Sequence, residues 1–581
     1  MSRNHFVSVD FSGAGAELGG ETWKNGFQRF KNTKQEKSEE MWSPFKSRKE
    51  WQLARWLMLS GVSHGDIDSF AKLSIIQDEL HSSFKDKCTF LKKIDALPTV
   101  RGGWICKELE IVGNIMKKAA DGTEVPMTEE RMFTNETMHM RAIDEMWTGD
   151  WWWATQKLLP EGSTIAPIIL ASDKTQLSTL SGDKSAWPVY LTLGNIESSV
   201  RRKPSEQASI LIGYIPVSKL ECFTKDARSE LIVAGDPHKG GVKMLCSDGK
   251  IRFVFPLLAA YVADFPEQCL VVCCQENRCP KCTAQEKELG DPLHSILRDP
   301  DRTIQSLQKA ANGDNTSAVT LGLRPITPFW ASLPLCNIFH CITPDILHQL
   351  HKGVFKDHIV KWSTCAVTGK SKKEREKEVD TRFQSMPRHP TLRHFKQGIS
   401  LIMQWTGHEY KNMEKIFLGV ISGTTESGEI VLCVQAILDF IEYSQFSLHT
   451  NESLERMDEA LHTFHAHKDA AFVDTGIRQA FNIPKVHSMN HYTPMILSIG
   501  AAPGYNTEWS ERLHIDFAKL AYQASNKRDY IKQMTCWLDQ REKVLWFTRF
   551  LDWALEKDHI DWLATSKVDD EENEEAITIP E

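Results

Sequence analysis

The chain has 581 residues, 41% hydrophobic and 25% charged, with a formal net charge of -8. That is close to ordinary globular composition and is enough chain for a large core divided into about two to four domains. No apolar run reaches the roughly eighteen residues that cross a bilayer, and MSRNHFVSVDFSG lacks the charged start and apolar stretch of a secretory signal. The charge balance excludes nothing about DNA, because local basic patches do the phosphate work.

Residues 1 to about 45 read as loosely structured, rich in Gly, Lys and Glu. KEWQLARWLMLSG and SHGDIDSFAKL then have apolar residues at helical spacing, with Ser63 as the cap of the second helix. Two short helices joined by a Gly-containing turn have the form of a helix-turn-helix, a common shape that need not read DNA. WICKELEIVGNI reads as short strand. In EMWTGDWWW, residues Trp147, Trp151, Trp152 and Trp153 are expected to pack in a core, with base stacking as the alternative.

TIAPIILAS, WPVYLTLGNI and ASILIGYIPV predict three consecutive strands of an antiparallel meander. KIRFVFPLLAAYVADF reads as a strand running into a helix or a second buried strand. Beyond Cys282 the spacing is helical in MEKIFLGVIS, EIVLCVQAILDFIEY, SLERMDEALHTFHAHKDAAF and SERLHIDFAKLAYQ. GKSKKEREKEVD reads as a solvated connector, and the acids from Asp569 to Glu575 as a disordered tail.

Asp173 ends the first apolar strand, where an acid either projects from the sheet edge into a cleft or sits in a surface turn. Asp264 ends the next long apolar stretch and precedes Phe265-Pro266, which breaks regular structure. Glu508 and Glu511 are three apart and share one side of a helix opening near Thr507. Acids on separate elements can converge on divalent cations such as Mg²⁺, which prefers oxygen ligands. A pair of such ions about 4 Å apart supports phosphodiester cleavage and strand transfer.

Cysteines form a second constellation. Cys273, Cys274, Cys279 and Cys282 lie in CCQENRCPKC, and thiolates at CxxC spacing can wrap one Zn²⁺. The remaining ligands are open among Cys269, Cys273, His340 and Cys341; reduced buried cysteines are the alternative. His487 and His491, four apart, share a helix face as a polar pair or as metal or phosphate contacts. Arg201, Arg202 and Lys203, with Lys519, Lys527 and Arg528, are the basic residues placed to meet DNA phosphates near the acids. P-loop, dinucleotide and serine-hydrolase motifs are absent.

The segment ILASDKTQLSTLSGDKSAWPVYLTLGNIESSVRRKPSEQASILIGYIPV, preceded by MWTGDWWW, resembles Plavaka-type transposases of the KDZ assemblage. VADFPEQCLVVCC, ENRCPKC, TPDILHQLHKGVFKDHIVKW, FNIPKVHSMNHY and YNTEWSERLHIDFAKLAYQASNKRDY extend the likeness in order across about residues 100–545. The group is similar to CACTA-like and other DDE transposases. The resemblance implies a mixed α/β (α+β) fold with an RNase H-like core interrupted by a largely helical insertion, behind a helical N-terminal region. On that frame residues 1–99 are the N-terminal region, 100–282 the first part of the core with the Cys-rich segment, and 283–480 the insertion. Residues 481–560 are the final part of the core and 561–581 the tail.

By the same resemblance the catalytic acids fall on Asp173, Asp264 and either Glu508 or Glu511, with Glu511 preferred for its adjoining Arg512-Leu513-His514. The DxxH element, Asp345 to His348, either supports the site or competes with Asp264. The resemblance also implies Mg²⁺ or Mn²⁺, double-stranded transposon and target DNA as partners, a homo-oligomer and a nuclear location. A domesticated relic that binds DNA or protein without catalysis, and a nuclease with no strand transfer, are the rival readings.

Overall fold

The computed structural model describes residues 26–76, 82–98, 141–178, 184–215, 250–292, 295–369, 371–402, 405–528 and 530–574, with short pieces at 7–10, 14–16, 24, 116–118, 124–126, 130–133 and 241–245. WICKELEIVGNI lies outside these residues. The molecule is mixed α/β: among the described residues a five-stranded sheet is accompanied by a four-stranded sheet of short strands, and the helices pack partly on the five-stranded sheet and partly on one another.

The expected loose N-terminal stretch contains a helix, α1 (Gly26–Glu36), followed by α2 (Arg48–Leu59), α3 (His64–Ala71) and α4 (Lys87–Asp95). Ser47 and Ser63 cap α2 and α3 by accepting from the amides of Glu50 and Asp66, as Ser at an N-cap does. α5 spans Asp150–Gln156 and carries three of the four clustered tryptophans. Trp147 and Trp152 are buried edge-to-face at 6.4 Å, so these two serve the core.

The sheet consists of β1 (Thr164–Ser172), β2 (Pro188–Leu193), β3 (Ser209–Tyr214), β4 (Val242–Leu245) and β5 (Ile251–Val262). Their order is β3-β2-β1-β5-β4. β1, β2 and β3 form the expected antiparallel meander, while β5 runs parallel to β1 and β4 folds back on β5. The stretch from Ile251 is one twelve-residue strand, and its last six residues are all buried. Cover on both faces explains why it reads as a continuous apolar run.

The parallel pairing fixes where the acids go. Ala171 lies opposite Val262, so two residues further on Asp173 and Asp264 emerge side by side from the same edge. Asp264 then caps α6 (Phe265–Val271), accepting from the Glu267 amide, with Pro266 in the first turn.

The remaining helices include α7 (Ile346–Val360), wound with wide π geometry, α8 (Lys372–Ser385), α9 (Gly407–Ile421), α10 (Gly428–Ser444) and α11 (Asn451–Lys468). They share a core built from residues such as Phe355, Phe383, Phe417, Phe440 and Phe464. α8 replaces the expected solvated connector: Ser371 and Glu374 close a capping box, and Val379 and Phe383, four apart, are buried. α12 (Tyr492–Ile499), α13 (Glu508–His514) and α14 (Tyr530–Glu574) return the chain to the sheet. Trp546, Phe547 and Phe550 of α14 receive Phe27 and Phe30 of α1, and Phe547 also meets Trp51 of α2. α14 continues through the acids from Asp569 to Glu574, where an unstructured tail was expected.

Gly149 and Gly500 lock the tryptophan-rich loop to the end of α12. A Cβ on Gly149 would sit 2.2 Å from the Ser498 carbonyl oxygen. Gly500 has φ +100° and the Glu145 carbonyl oxygen at 2.6 Å from its ideal Cβ, so both positions require glycine. No helix among the described residues is long and apolar enough to cross a membrane.

Candidate metal centres

Asp173 leaves the C-terminal end of β1, and α13 carries Glu511 and His514 to meet it. Ligand atoms of these three residues all lie within 4.8 Å of one another. His514 Nε2 is 3.3 Å from Asp173 Oδ2, and its Nδ1 is 2.9 Å from the Tyr190 hydroxyl on β2. Tyr190 and His514 are buried, while the two carboxylates keep part of their surface in solvent. The cluster is therefore rigid behind and open in front.

Asp264 leaves the same sheet edge two residues beyond Val262, but it is not among the residues whose ligand atoms lie within 4.8 Å of one another. Burial raises its proton affinity, the amide of Glu267 opposes that rise, and the charge of Asp173 adds to it. Two acids that repel one another at a sheet edge gain when a cation neutralises both. Glu267, one turn into α6, accepts from Trp187 Nε1 at 3.0 Å and from the Ser172 hydroxyl. Burial pushes its carboxyl up to about 7. This residue anchors the end of β1 beside Asp173 and was not singled out by sequence.

Asp345 plays a different part. It is buried and caps α7, with Oδ1 accepting from the Leu347 amide and the Thr507 hydroxyl and Oδ2 from the amide of His348. His348 Nδ1 also lies 3.0 Å from Oδ2, and its Nε2 is 3.5 Å from Glu511 Oε1. Burial disfavours charge on His348, but Asp345 and Glu511 outweigh it and raise the imidazole to about 10. His348 in turn holds the Glu511 carboxyl below its usual range. The lone pairs of Asp345 are thus occupied by donors, whereas Asp173 and Glu511 face one another. Glu508 turns aside to pair with Lys411 at 2.7 Å.

The second group is closed. Cys279, Cys282, His487 and His491 bring four ligand atoms within 4.8 Å. Cys279 Sγ is 3.3 Å from His491 Nε2, and Cys282 Sγ is 3.1 Å from His487 Nε2. The Cys282 thiol is drawn far below its ordinary range, first by its hydrogen bond with Cys279 and then by the two histidines. Two thiolates and two imidazoles are a donor set suited to a metal ion. Cys273 and Cys274, expected as ligands, stand apart from it. The backbone turns at Cys273 with φ 59°, which sends its side chain among Leu307, Ala318 and Leu323. Cys274 and Cys269 belong to the buried core that contains Trp330.

The basic residues divide. Arg201 is buried, paired with Glu145 at 3.3 Å and laid over the Tyr505 ring, so it serves the interior and not a phosphate-facing surface. Arg202, Lys203, Lys519, Lys527 and Arg528 are exposed.

A sheet-edge carboxylate cluster, backed by a separate Cys/His tetrad, defines a protein with two candidate metal centres. Residues 122–363, less than half of the chain, match the family model of the Plavaka transposase. The match contains Asp173, Asp264, the Asp345–His348 element and the CxxC pair, and it stops before His487, Glu508 and Glu511. No curated protein matches the chain.

Proposed function

We propose that this chain catalyses metal-dependent cleavage and strand transfer of transposon DNA, with Asp173, Asp264 and Glu511 as the acids that hold the cations. One observation carries the reading: Asp173 and Glu511, from elements far apart in the chain, bring carboxylate oxygens within 4.8 Å at a partly open sheet edge. The donor set fits Mg²⁺ or Mn²⁺, since it is rich in oxygen and its acids repel one another. Bound divalent cations supply activation of a water or 3′-hydroxyl and stabilise the leaving oxygen.

The chain's own residues do the positioning. Asp345, saturated with hydrogen bonds, fixes His348, and His348 orients Glu511; this favours Asp264 over Asp345 as the second acid. The meander followed by a strand parallel to its first member supports an RNase H-like core, and the helices from α7 to α11 form its insertion. Arg202, Lys203, Lys519, Lys527 and Arg528 meet the phosphates of double-stranded DNA. A homo-oligomer acting in the nucleus completes the reading. The Cys279, Cys282, His487 and His491 tetrad is assigned a structural Zn²⁺.

A cleavage and joining assay on duplexes ending in the element's terminal repeats, with Mg²⁺ or Mn²⁺, tests the proposal. The wild-type chain is expected to nick and join, and Asp173→Asn to do neither while keeping its melting temperature. Hydrolysis without joining points to a nuclease. DNA binding with no cutting points to a non-catalytic derivative.

A further inference from the structure

His514 is more than a neighbour of the acids. Its ring is 1% exposed, its Nδ1 is 2.9 Å from the Tyr190 hydroxyl, and its Nε2 points to the space shared by Asp173 and Glu511. Imidazoles that bind metals have the other ring nitrogen held by a hydrogen-bond partner, which fixes tautomer and ring orientation. The Tyr190 oxygen can accept from Nδ1–H and leave the Nε2 lone pair facing the carboxylates. A purely structural His514 requires the opposite tautomer, with Nε2–H donating to Asp173 Oδ2 across the 3.3 Å gap.

We infer that His514 Nε2 is a protein ligand of the cation held by Asp173 and Glu511, making this position a mixed nitrogen–oxygen site that prefers Mn²⁺ over Mg²⁺. The inference rests on the proposed cation site and specifies its ligand set and ion. Mg²⁺ is a hard ion that takes oxygen ligands and keeps its waters. An imidazole nitrogen adds more to the binding of a first-row transition ion, so one such ligand tilts the selection.

Electron spin-echo spectroscopy of Mn²⁺ added to the full chain, with zinc retained in the Cys/His tetrad, tests this without any activity measurement. The wild type is expected to show nitrogen modulation from a directly bound imidazole. His348→Asn, which removes the other imidazole near Glu511, is expected to keep that modulation, and His514→Gln to lose it. Losing an outer partner of a ligand already costs about 10–100-fold in affinity. His514→Gln should therefore weaken Mn²⁺ binding by about tenfold or more and reduce the Mg²⁺ excess needed to displace it.

Bound Mn²⁺ with no nitrogen modulation in the wild type overturns the inference, and this result does not depend on any variant folding. Modulation lost in His348→Asn and kept in His514→Gln overturns it as well. Asp173→Asn separates the existence of the cation site from the role of His514 in it. If Mn²⁺ binding survives Asp173→Asn unchanged, the cation site itself is wrong. If binding needs Asp173 and Glu511 but shows no nitrogen, only the role of His514 falls.

Discussion

The two candidate metal centres solve opposite problems. The Cys279–Cys282–His487–His491 tetrad supplies all four ligands from the chain, three of them on buried residues. A closed set of this kind contributes to folding and leaves no position for substrate. The Asp173–Glu511–His514 cluster supplies fewer donors and keeps part of its carboxylate surface exposed, as a site must if DNA is to reach it. Their supports differ accordingly. The tetrad ties the CxxC loop to residues near α12, whereas the acid cluster relies on outer partners: Tyr190 behind His514, and Asp345 and Thr507 behind His348.

The sharpest way to break this contrast is to empty the tetrad. Structural Zn²⁺ binding is worth about 10–16 kcal/mol in small zinc domains, comparable to the whole stability of a typical protein. Cys282→Ser, or prolonged chelation, is expected to lower the melting temperature sharply by calorimetry. Removing only Mg²⁺ or Mn²⁺ should leave melting nearly unchanged. Equal effects from both treatments would erase the distinction.

Next in size is the separation of the two glutamates on α13. Glu511→Gln should reduce cleavage by about three orders of magnitude or more. Glu508→Gln removes a partly exposed pair with Lys411, which is worth about 0–1 kcal/mol of stability, and should leave cleavage within a few-fold. Single-turnover assays decide, and a reversed order would move the third acid to Glu508.

Neighbouring arginines offer a third comparison. Arg201→Ala removes the cation beside buried Glu145 and leaves it only the Ser198 amide and hydroxyl as donors, which should cost up to about 3 kcal/mol in denaturant unfolding. Arg202→Ala should leave stability intact and reduce the salt slope of DNA binding by about one. If Arg201→Ala is as stable as the wild type, the ion pair seen here does not anchor that loop.

A fourth comparison concerns pH. His348 titrates at about 10 in the folded chain against an ordinary value of 6.5. A raised imidazole contributes stability that is full below 6.5 and is lost as pH climbs toward about 10. Without added divalent cation, wild-type melting should therefore fall more steeply across that window than melting of His348→Asn. Parallel curves would mean that His348 is not held as a cation.

Much of the sheet was legible because its strands are apolar runs bounded by polar turns, and Asp173 and Asp264 stand where two of those runs end. What places those acids at one sheet edge is the parallel register of β1 and β5, which no local pattern records. The CxxC pair was legible too, but its partners were not. Cys282 meets His487 across 205 residues, while spacing alone favoured the nearby Cys273 and Cys274. α8 was hidden by its charge density, which masks the two buried positions at Val379 and Phe383. His514 was overlooked because a histidine inside an amphipathic helix looks like any surface residue until Tyr190 and Asp173 close around it.

Catalysis at this site requires the convergence of the acids at the sheet edge. A crystal of the chain grown with Mn²⁺, mapped by anomalous scattering, gives the most direct reading. A peak is expected between Asp173 and Glu511, within coordinating distance of Asp264 as well. A peak elsewhere, with these three carboxylates apart and unliganded, would contradict that convergence.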